Sequence, residues 1–189
     1  MKHRHFIICK PYGYLSQFVY DLKRKKKLLG ELHEFPPGTM AIGRLDEDSE
    51  GLLLLTTDGK VSEKIRSRKV VKEYYVQVDG IMTPEAIAKI EQGVEIGFDG
   101  KKYITKPCTA FIPETVPTFD KRGKKIRDER HGPTSWVSIT VNEGKFRQVR
   151  KMTAAVGFPT LRLVRIRIGN IMLGDLKMGE VVEVADLQI

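Results

Sequence analysis

The segment Gly43-Arg44-Leu45-Asp46 places a carboxylate two residues after an arginine, at the end of a predicted strand over Met40–Leu45. An aspartate is ionised at neutral pH, so Asp46 could act as a nucleophile or base without help from another group. Arg44 could form a charge-assisted hydrogen bond or contact a phosphate. The tetrapeptide alone does not establish a catalytic role, because such a pattern is more commonly explained by an acidic residue that begins a turn.

Two further segments carry residues that could bind or position a substrate. Lys72-Glu73-Tyr74-Tyr75-Val76 lies on a predicted strand, where a tyrosine beside a charged cleft would stack on a base, although strand aromatics more often belong to the core. Gly144–Met152 has four cations within seven residues at the start of a predicted helix over Phe146–Val156, where the helix dipole disfavours positive charge. Stability does not explain these cations, and an arginine among them could hold Asp46 ionised and oriented.

The other residue patterns argue against a metal or an organic cofactor. Asp46, Glu47 and Asp48 are adjacent, so on an extended chain their side chains point to alternating faces. No histidine or further acid lies at a ligand-like spacing from them. The chain has no phosphate-binding loop, GxGxxG, GxSxG or HExxH motif. We therefore expect neither a metal nor a cofactor.

The net charge favours a polyanionic partner. The chain has 33 Lys and Arg residues against 24 Asp and Glu residues, which gives a net charge of +9 and a pI near 9.5. Basic proteins of this kind often bind nucleic acid, because each neutralised phosphate releases counterions. Two predicted loops concentrate the cations, one at Lys23–Lys27 and one at Lys121–Arg130 within the irregular segment Pro113–Pro133. A basic surface without a particular partner is the alternative explanation.

The spacing of apolar residues predicts an α+β domain. Strands with few helices between them, mostly joined by turns, favour a mixed and largely antiparallel sheet with flanking helices. Helices are predicted over Lys60–Arg68 and from Thr83-Pro84 to Gly93, besides the one over Phe146–Val156. The predicted strands are Phe6–Lys10, Met40–Leu45, Leu52–Thr57, Val70–Val78, Trp136–Val141, Leu161–Ile168 and Val181–Val184.

Composition and the start of the chain predict a cytoplasmic protein. Hydrophobic residues make up 41% and charged residues 30%, which is ordinary for a globular protein. No apolar run approaches the ~20 residues of a membrane helix, and the stretch after the basic N-terminus is too short for a signal peptide. Cys9 and Cys108 lie far apart and in no CxxC motif, as expected of buried thiols in a reducing compartment.

Segments spread over nearly the whole chain form a pattern that none of them carries alone: Lys10–Gly13, Gly43–Gly59, Lys72–Val76, Gly144–Met152, Val156–Pro159 and Leu161–Gly169. In this order they resemble the pseudouridine synthases that modify ribosomal RNA. The resemblance implies the pseudouridine synthase fold, with one catalytic domain over residues 1–189, two lobes sharing one sheet and a central RNA-binding cleft. The chain starts directly at this domain, so it is similar to the shorter branch of the family, which lacks an N-terminal S4 module.

The resemblance also implies roles for individual residues. Asp46 falls on the catalytic aspartate, and Arg150 falls on the basic residue that pairs with it. Tyr74 falls on the tyrosine that stacks on the target base, with Tyr75 as the alternative. Arg44 would hold the phosphate of the flipped nucleotide. The implied activity is isomerisation of one uridine in large-subunit (23S) ribosomal RNA by a monomer, with no cofactor, no membrane association and no obligatory protein partner.

Two other functions compete with this interpretation. A non-catalytic RNA-binding protein, such as an assembly factor, would use the same basic surface and would not need the Asp46 carboxylate. A hydrolase acting on a glycosidic bond commonly needs two separated carboxylates, and this sequence offers one good candidate. Replacement of Asp46 therefore separates an enzyme from a binding protein.

Overall fold

The computed structural model describes residues 2–19, 25–67, 70–115, 117–127 and 129–189. Within them the chain forms thirteen strands, three α-helices and two short 3-10 helices. The helices are α1 (Gly59–Ser67), α2 (Pro84–Gln92) and α3 (Gln148–Ala155), with 3-10 turns at Leu29–Glu31 and Glu129–His131. The strands are β1 (His5–Lys10), β2 (Tyr14–Leu15), β3 (Lys27–Leu28), β4 (Met40–Ala41), β5 (Glu50–Thr56), β6 (Lys72–Asp79), β7 (Glu95–Phe98), β8 (Lys101–Ile104), β9 (Thr109–Phe111), β10 (Thr134–Val141), β11 (Thr160–Ile168), β12 (Ile171–Met172) and β13 (Val181–Val184).

The chain divides into two compact units. Unit 1 comprises Met1–Val70, Asp120–Lys124 and Val164–Ile189, and unit 2 comprises Val71–Phe119 and Lys125–Leu163. The boundary falls within β11, which begins in unit 2 and ends in unit 1. The single catalytic domain over residues 1–189, with two lobes that share one sheet, stays a prediction.

Unit 1 is organised around β5. This strand pairs antiparallel with β1, which in turn pairs antiparallel with β13, and its first residues pair in parallel with β11. The four consecutive leucines of Leu52–Leu55 have no exposed surface. Because successive side chains of a strand point to opposite faces, β5 must be covered on both faces. A strand that is apolar on both faces, as Leu52–Leu55 is, has the pattern expected of such a central position.

Unit 2 combines a short antiparallel sheet with two helices. β10 pairs antiparallel with β6 and with β9, and β7 and β8 form a separate antiparallel hairpin. Side chains of α2 and α3 join those of the strands in one buried core, which contains Val76, Val78, Met82, Ala86, Ile90, Ile96, Ala110, Val137, Ile139, Val141, Val149, Met152 and Leu163. Most described pairings are antiparallel, whereas β5–β11 and β2–β3 are parallel. The predicted α+β class is confirmed.

The helix α2 follows from local sequence alone. Thr83 is its N-cap, and the Thr83 hydroxyl oxygen accepts a hydrogen bond from the Ala86 N–H at 3.3 Å. Pro84 occupies the first helical position, and the helix ends before Gly93, which has a φ of +104°. The helix predicted near Lys60–Arg68 is α1, although residues 68 and 69 lie outside the described part. No helix formed by the described residues is long and apolar enough to cross a membrane.

Two predicted boundaries are wrong, each because of a backbone turn. The strand expected over Met40–Leu45 ends at Ala41, since Gly43 has a φ of +74° and redirects the chain. The helix expected from Phe146 begins at Gln148, because Arg147 has a left-handed φ of 52°. Phe146 therefore lies before α3, on non-helical backbone.

Candidate active site

Asp46 lies in a turn between β4 and β5, here called the Asp46 turn (residues 43–51), and its side chain is half-buried. The Leu45 N–H donates to Ser16 Oγ at 3.0 Å, and the same hydroxyl donates to the Leu45 carbonyl at 2.7 Å. The Gly13 N–H donates to the Glu47 carbonyl at 2.8 Å. Residues that follow β1 thus hold the backbone on both sides of Asp46. Asp46 does begin a turn, which is the more common explanation of its sequence pattern, and this turn fixes its position.

A fully buried lysine ends β1. Lys10 has no exposed surface, and its Nζ donates to the carbonyls of Pro11 at 3.0 Å and Tyr14 at 2.7 Å. Taking an ammonium group out of water is costly unless hydrogen bonds and opposite charges compensate for the lost hydration. The two carbonyls supply the hydrogen bonds and join Lys10 to the segment that holds the Asp46 turn.

The opposite charges around Lys10 come from the Asp46 turn. Burial lowers the pKa of Lys10 to about 8, whereas the buried Glu50 favours the charged form and Arg165 opposes it. Asp48 and Asp46 also favour the charged form. Lys10 therefore acts as an internal counter-charge for the carboxylates of this turn.

Arg165 of β11 is a second buried cation in unit 1, with 3% of its surface exposed. Its Nε donates to the Leu52 carbonyl at 2.7 Å and its Nη1 to the Arg44 carbonyl at 3.4 Å. Gly51 is opposite Arg165 in the β5–β11 ladder and has a φ of +99°. A Cβ at Gly51 would overlap the Arg165 carbonyl oxygen. Only glycine allows this close approach of the two strands at the end of the Asp46 turn.

Tyr74 and Tyr75 occupy opposite faces of β6 in unit 2. Tyr74 packs, partly buried, against the core that contains Val76 and Val78. The Tyr75 ring contacts that of Phe119, with 6.2 Å between the ring centres. Since alternate residues of a strand share a face, the two tyrosines cannot replace each other in one role. Aromatic residues on strands are expected in the core, and Tyr74 partly fulfils this expectation.

Arg150 lies in the first turn of α3 in unit 2 and is half-buried. Its carbonyl accepts a hydrogen bond from the Thr153 hydroxyl at 3.2 Å. Arg44 and Asp46, by contrast, belong to unit 1, where Arg44 is exposed and Asp46 is half-buried. The pairing of Arg150 with Asp46 stays a prediction.

The turn before α3, here called the pre-α3 turn (residues 143–147), is anchored by the carboxylate of Glu143. This carboxylate accepts hydrogen bonds from the Tyr103 hydroxyl, from the Lys106 N–H at 2.9 Å and from the Gln148 side-chain amide at 2.6 Å. Burial alone would raise the pKa of Glu143, but these hydrogen bonds outweigh burial and lower it. Glu143 stays ionised and joins the β7–β8 hairpin to the start of α3.

The first predicted basic loop is only partly described. Of Lys23–Lys27, Lys23 and Arg24 lie outside the described residues. Lys26 forms an ion pair with Glu47 of the Asp46 turn at 2.9 Å. This cation stabilises the protein itself, so the loop has less charge to offer to RNA than its sequence suggests.

The second predicted basic loop, Lys121–Arg130, also uses cations internally, and its residue 128 lies outside the described part. The Arg122 guanidinium lies 4.2 Å from the ring centre of Tyr12 in unit 1. In unit 2, Arg127 forms a two-point ion pair with Asp79, with 2.8 Å between Nη1 and Oδ2. Both contacts order parts of a segment that its composition predicted to be a loose loop.

Other chemistry finds little support among the described residues. They contain no group of three or more His, Cys, Asp or Glu side chains placed to hold a metal ion. Burial raises the pKa of the Cys108 thiol to about 11, which keeps it protonated and unreactive at neutral pH. The assignment of Asp46 as the reactive side chain stays a prediction.

The sequence alone does not single out the buried residues that support the Asp46 turn. In the sequence, Lys10, Gly51 and Arg165 are members of longer motifs, and nothing in those motifs gives them a role of their own. A lysine that closes the otherwise apolar strand Phe6–Lys10 and a glycine directly before a buried leucine run were available signals. Their meaning depends on tertiary burial, which local pattern does not reveal.

A sequence profile of the RNA pseudouridylate synthase family matches residues 4–155. The match covers well over half of the chain, so the protein belongs to the RNA pseudouridylate synthase family. This membership confirms the predicted fold and enzyme class, an RNA pseudouridine synthase.

Individual relatives carry the same family name. The chain is 42% identical over 185 residues to a ribosomal large subunit pseudouridine synthase E of Vibrio parahaemolyticus, covering 95% of this chain and 74% of that protein. A protein of the same name from Xanthomonas campestris is 41% identical over 176 residues, covering 92% and 91%. A solved structure of a pseudouridylate synthase matches with a TM-score of 0.75 and 27% identity, covering 96% of this chain and 70% of that one.

Proposed function

We propose that this protein isomerises one uridine of large-subunit (23S) ribosomal RNA to pseudouridine, with Asp46 as the catalytic carboxylate. The observation that carries the proposal is the Asp46 turn, which presents a half-buried carboxylate on a backbone held from both sides. The relatives named ribosomal large subunit pseudouridine synthase E support the choice of RNA, since they are 41–42% identical over most of the chain.

The reaction is a rearrangement within one nucleotide. The bond between ribose C1′ and uracil N1 breaks, the ring turns, and C1′ forms a bond to C5. C5 loses a proton and N1 gains one, so the composition of the nucleotide does not change. A stacked base cannot undergo this movement, so the uridine must be flipped out of its helix. Asp46 supplies the carboxylate that drives cleavage of the glycosidic bond.

The other predicted site residues bind and orient. Arg150 pairs with Asp46 and keeps it ionised, and Arg44 binds the phosphate of the flipped nucleotide. The exposure of the Arg44 residue, whose carbonyl is held by Arg165, supports this role. Tyr74 stacks on the uracil ring, with Tyr75 as the alternative; Tyr74 packs partly buried against the core of unit 2, and the Tyr75 ring contacts Phe119.

We further propose that the protein works as a monomer in the cytoplasm, without an obligatory protein partner. The proposed substrate, ribosomal RNA, supports this location. The mass of the purified protein in solution tests the oligomeric state, and a dimer mass would contradict it.

Substitution of Asp46 tests the proposed function. Asp46→Asn should lower pseudouridine formation in purified 23S RNA by on the order of a thousandfold or more, since it removes the reactive charge and keeps the shape. RNA affinity should stay close to that of the wild type. The measurement is pseudouridine mapping after incubation with each purified protein, together with a direct binding titration.

The matched control is Glu47→Gln, which removes the next carboxylate along the same turn, one that already forms an ion pair with Lys26. Glu47→Gln should retain turnover. A fully active Asp46→Asn variant would rule out the proposed catalytic role and favour the binding-protein interpretation.

A further inference from the structure

Phe146 is an exposed aromatic residue of the pre-α3 turn, with 65% of its surface accessible to solvent. It lies between Lys145 and Arg147 in the sequence. Among the large exposed hydrophobic residues that the structure describes, it is the only one with a cation on each side. Single exposed apolar residues are common, so this combination with charge, rather than the exposure alone, asks for an explanation.

Cations also lie next to the aromatic rings in space. The Nζ of Lys151 is 5.5 Å from the ring centre of Phe146. The Nζ of Lys145 is 4.7 Å from the ring centre of Phe98 and 5.0 Å from that of Tyr103. The exposed Phe146 ring thus has one lysine ammonium group beside it, and a second lysine of the same turn lies over two neighbouring rings of unit 2.

The backbone that presents Phe146 is well fixed. The Lys145 N–H donates to Gln148 Oε1 at 3.0 Å, and the Gln148 amide donates to Glu143. Lys151 Nζ donates to the Gly97 carbonyl at 2.7 Å, which joins the helix to the β7–β8 hairpin. A ligand that meets this surface does not have to order it first, so less of the binding free energy is lost.

We propose that Phe146 is a stacking surface for an unpaired base of the substrate RNA other than the target uridine. Lys145, Arg147 and Lys151 neutralise the phosphates on either side of that base. The inference rests on the proposed function and adds an RNA-binding element to it. Because every base has a flat π-face, this contact tolerates different bases and adds affinity rather than sequence choice.

A nucleotide fits this surface better than an apolar protein partner does. A protein pocket could bury the Phe146 ring, but an apolar pocket would offer no negative charge to Lys145 and Lys151, whose ammonium groups lie over aromatic rings of unit 2. A nucleotide provides a ring for the phenyl group and a phosphate for the cations in one ligand. The net charge of +9 on the whole chain favours the same ligand.

Binding of a single-stranded oligouridylate tests the proposal directly. By fluorescence anisotropy, Phe146→Ala should bind the labelled oligouridylate about tenfold more weakly than the wild type, and Phe146→Trp should restore the affinity. Phe146→Ala should leave the salt dependence unchanged, because it removes no phosphate contact. Lys151→Gln should make the salt dependence less steep.

The matched control is Phe111→Ala. Phe111 is also an exposed phenylalanine of unit 2, at 45%, but it lies on β9 between Ala110 and Ile112, with no cation beside it in sequence. This variant should bind like the wild type. Phe146→Leu separates stacking from apolar contact, since it keeps an apolar side chain without a ring face and should resemble Phe146→Ala.

The turnover assay extends the test to the natural substrate. With 23S RNA, Phe146→Ala should raise KM and leave kcat unchanged, with an unaltered unfolding midpoint. Wild-type affinity in Phe146→Ala, or full rescue by Phe146→Leu, would overturn the stacking role. A wild-type protein that forms no pseudouridine would overturn the proposed function instead, so the two failures can be told apart.

Discussion

In unit 1, the Asp46 turn is held by side chains that have almost no exposed surface, namely Lys10, Glu50 and Arg165. In unit 2, the pre-α3 turn is held by the partly exposed carboxylate of Glu143, and it displays Phe146 to solvent. The first segment carries a carboxylate on a frame of internal charges. The pre-α3 turn carries cations and the Phe146 ring, and hydrogen bonds to the Glu143 carboxylate hold it in place.

This difference in burial matches the two proposed roles, a reactive carboxylate in the Asp46 turn and an RNA contact in the pre-α3 turn. A carboxylate that acts on one atom has to be positioned within about 0.5 Å, and buried charges achieve this because any displacement leaves one of them unpaired. Contacts with an RNA backbone and with base faces need charge and access, and they tolerate more movement. Substitutions of the buried residues that hold the Asp46 turn should therefore reduce stability strongly, whereas those in the pre-α3 turn should reduce it weakly.

The largest expected effect is that of Gly51→Ala. Its added Cβ would overlap the Arg165 carbonyl oxygen, and the backbone of an alanine is strained at a φ of +99°. We expect a loss of about 4 kcal/mol in the free energy of unfolding, measured by urea denaturation. The control is Gly38→Ala, which has a φ of +82° with open space around its Cβ and should cost about 1 kcal/mol. Equal losses for the two variants would show that the close approach at Gly51 contributes nothing.

Lys10→Met comes next, because it removes one member of a buried group of charges. It removes a cation that interacts electrostatically with Glu50, and it leaves the carbonyls of Pro11 and Tyr14 without the Lys10 donor. The free energy of unfolding should fall by about 3 kcal/mol in urea at neutral pH. Lys60→Met removes an exposed lysine of α1 and should have little effect.

The pH dependence of Lys10→Met gives a sharper test. Burial lowers the pKa of Lys10 to about 8 in the folded protein, from an ordinary value of 10.5. The unfolded chain binds this proton more tightly, so the cost of burying the charge is fully present below about pH 8 and is relieved as the pH rises toward 10.5. The stability of the wild type relative to Lys10→Met should therefore increase from about pH 7 to about pH 9.5. A constant difference would contradict the lowered pKa.

Glu143→Gln should have the smallest effect, about 1–2 kcal/mol, since a neutral amide can still accept some of the hydrogen bonds that hold the pre-α3 turn. The pKa of Glu143 is below its ordinary value of 4.5, so its contribution is present above that value and is lost as the pH falls through the folded pKa. The wild type should lose more stability than Glu143→Gln on acidification below about pH 4.5. Glu63→Gln, an exposed change on α1, is the reference. A stability loss as large as that of Lys10→Met would remove the contrast between the two segments.

Local sequence predicted the elements whose cause is local. The Thr83-Pro84 start placed α2, and four consecutive leucines placed β5 at the centre of a sheet. The boundaries of β4 and α3 were predicted wrongly because each depends on one residue with a positive φ, Gly43 and Arg147. A glycine permits a positive φ without requiring it, and an arginine rarely adopts one.

The candidate site was predictable only through its motifs. Asp46 and Arg150 stand out because they fall within family motifs, whereas neither composition nor periodicity distinguishes them from other charged residues. Burial of Lys10 and Arg165 depends on strands far apart in sequence, so a linear pattern records them as ordinary cations. The residues that hold the Asp46 turn are in this respect harder to find than the carboxylate proposed to react.

The opposite faces of Tyr74 and Tyr75 have a consequence for how β6 tolerates insertions and deletions. Removal or addition of one residue ahead of the pair would exchange the two rings, so that Tyr75 would replace Tyr74 on the core face. The same slip would move Val76 and Val78 out of the core, at a large loss of stability. Burial of the two valines therefore fixes the register of β6, and with it which of the two tyrosines lies on the core face.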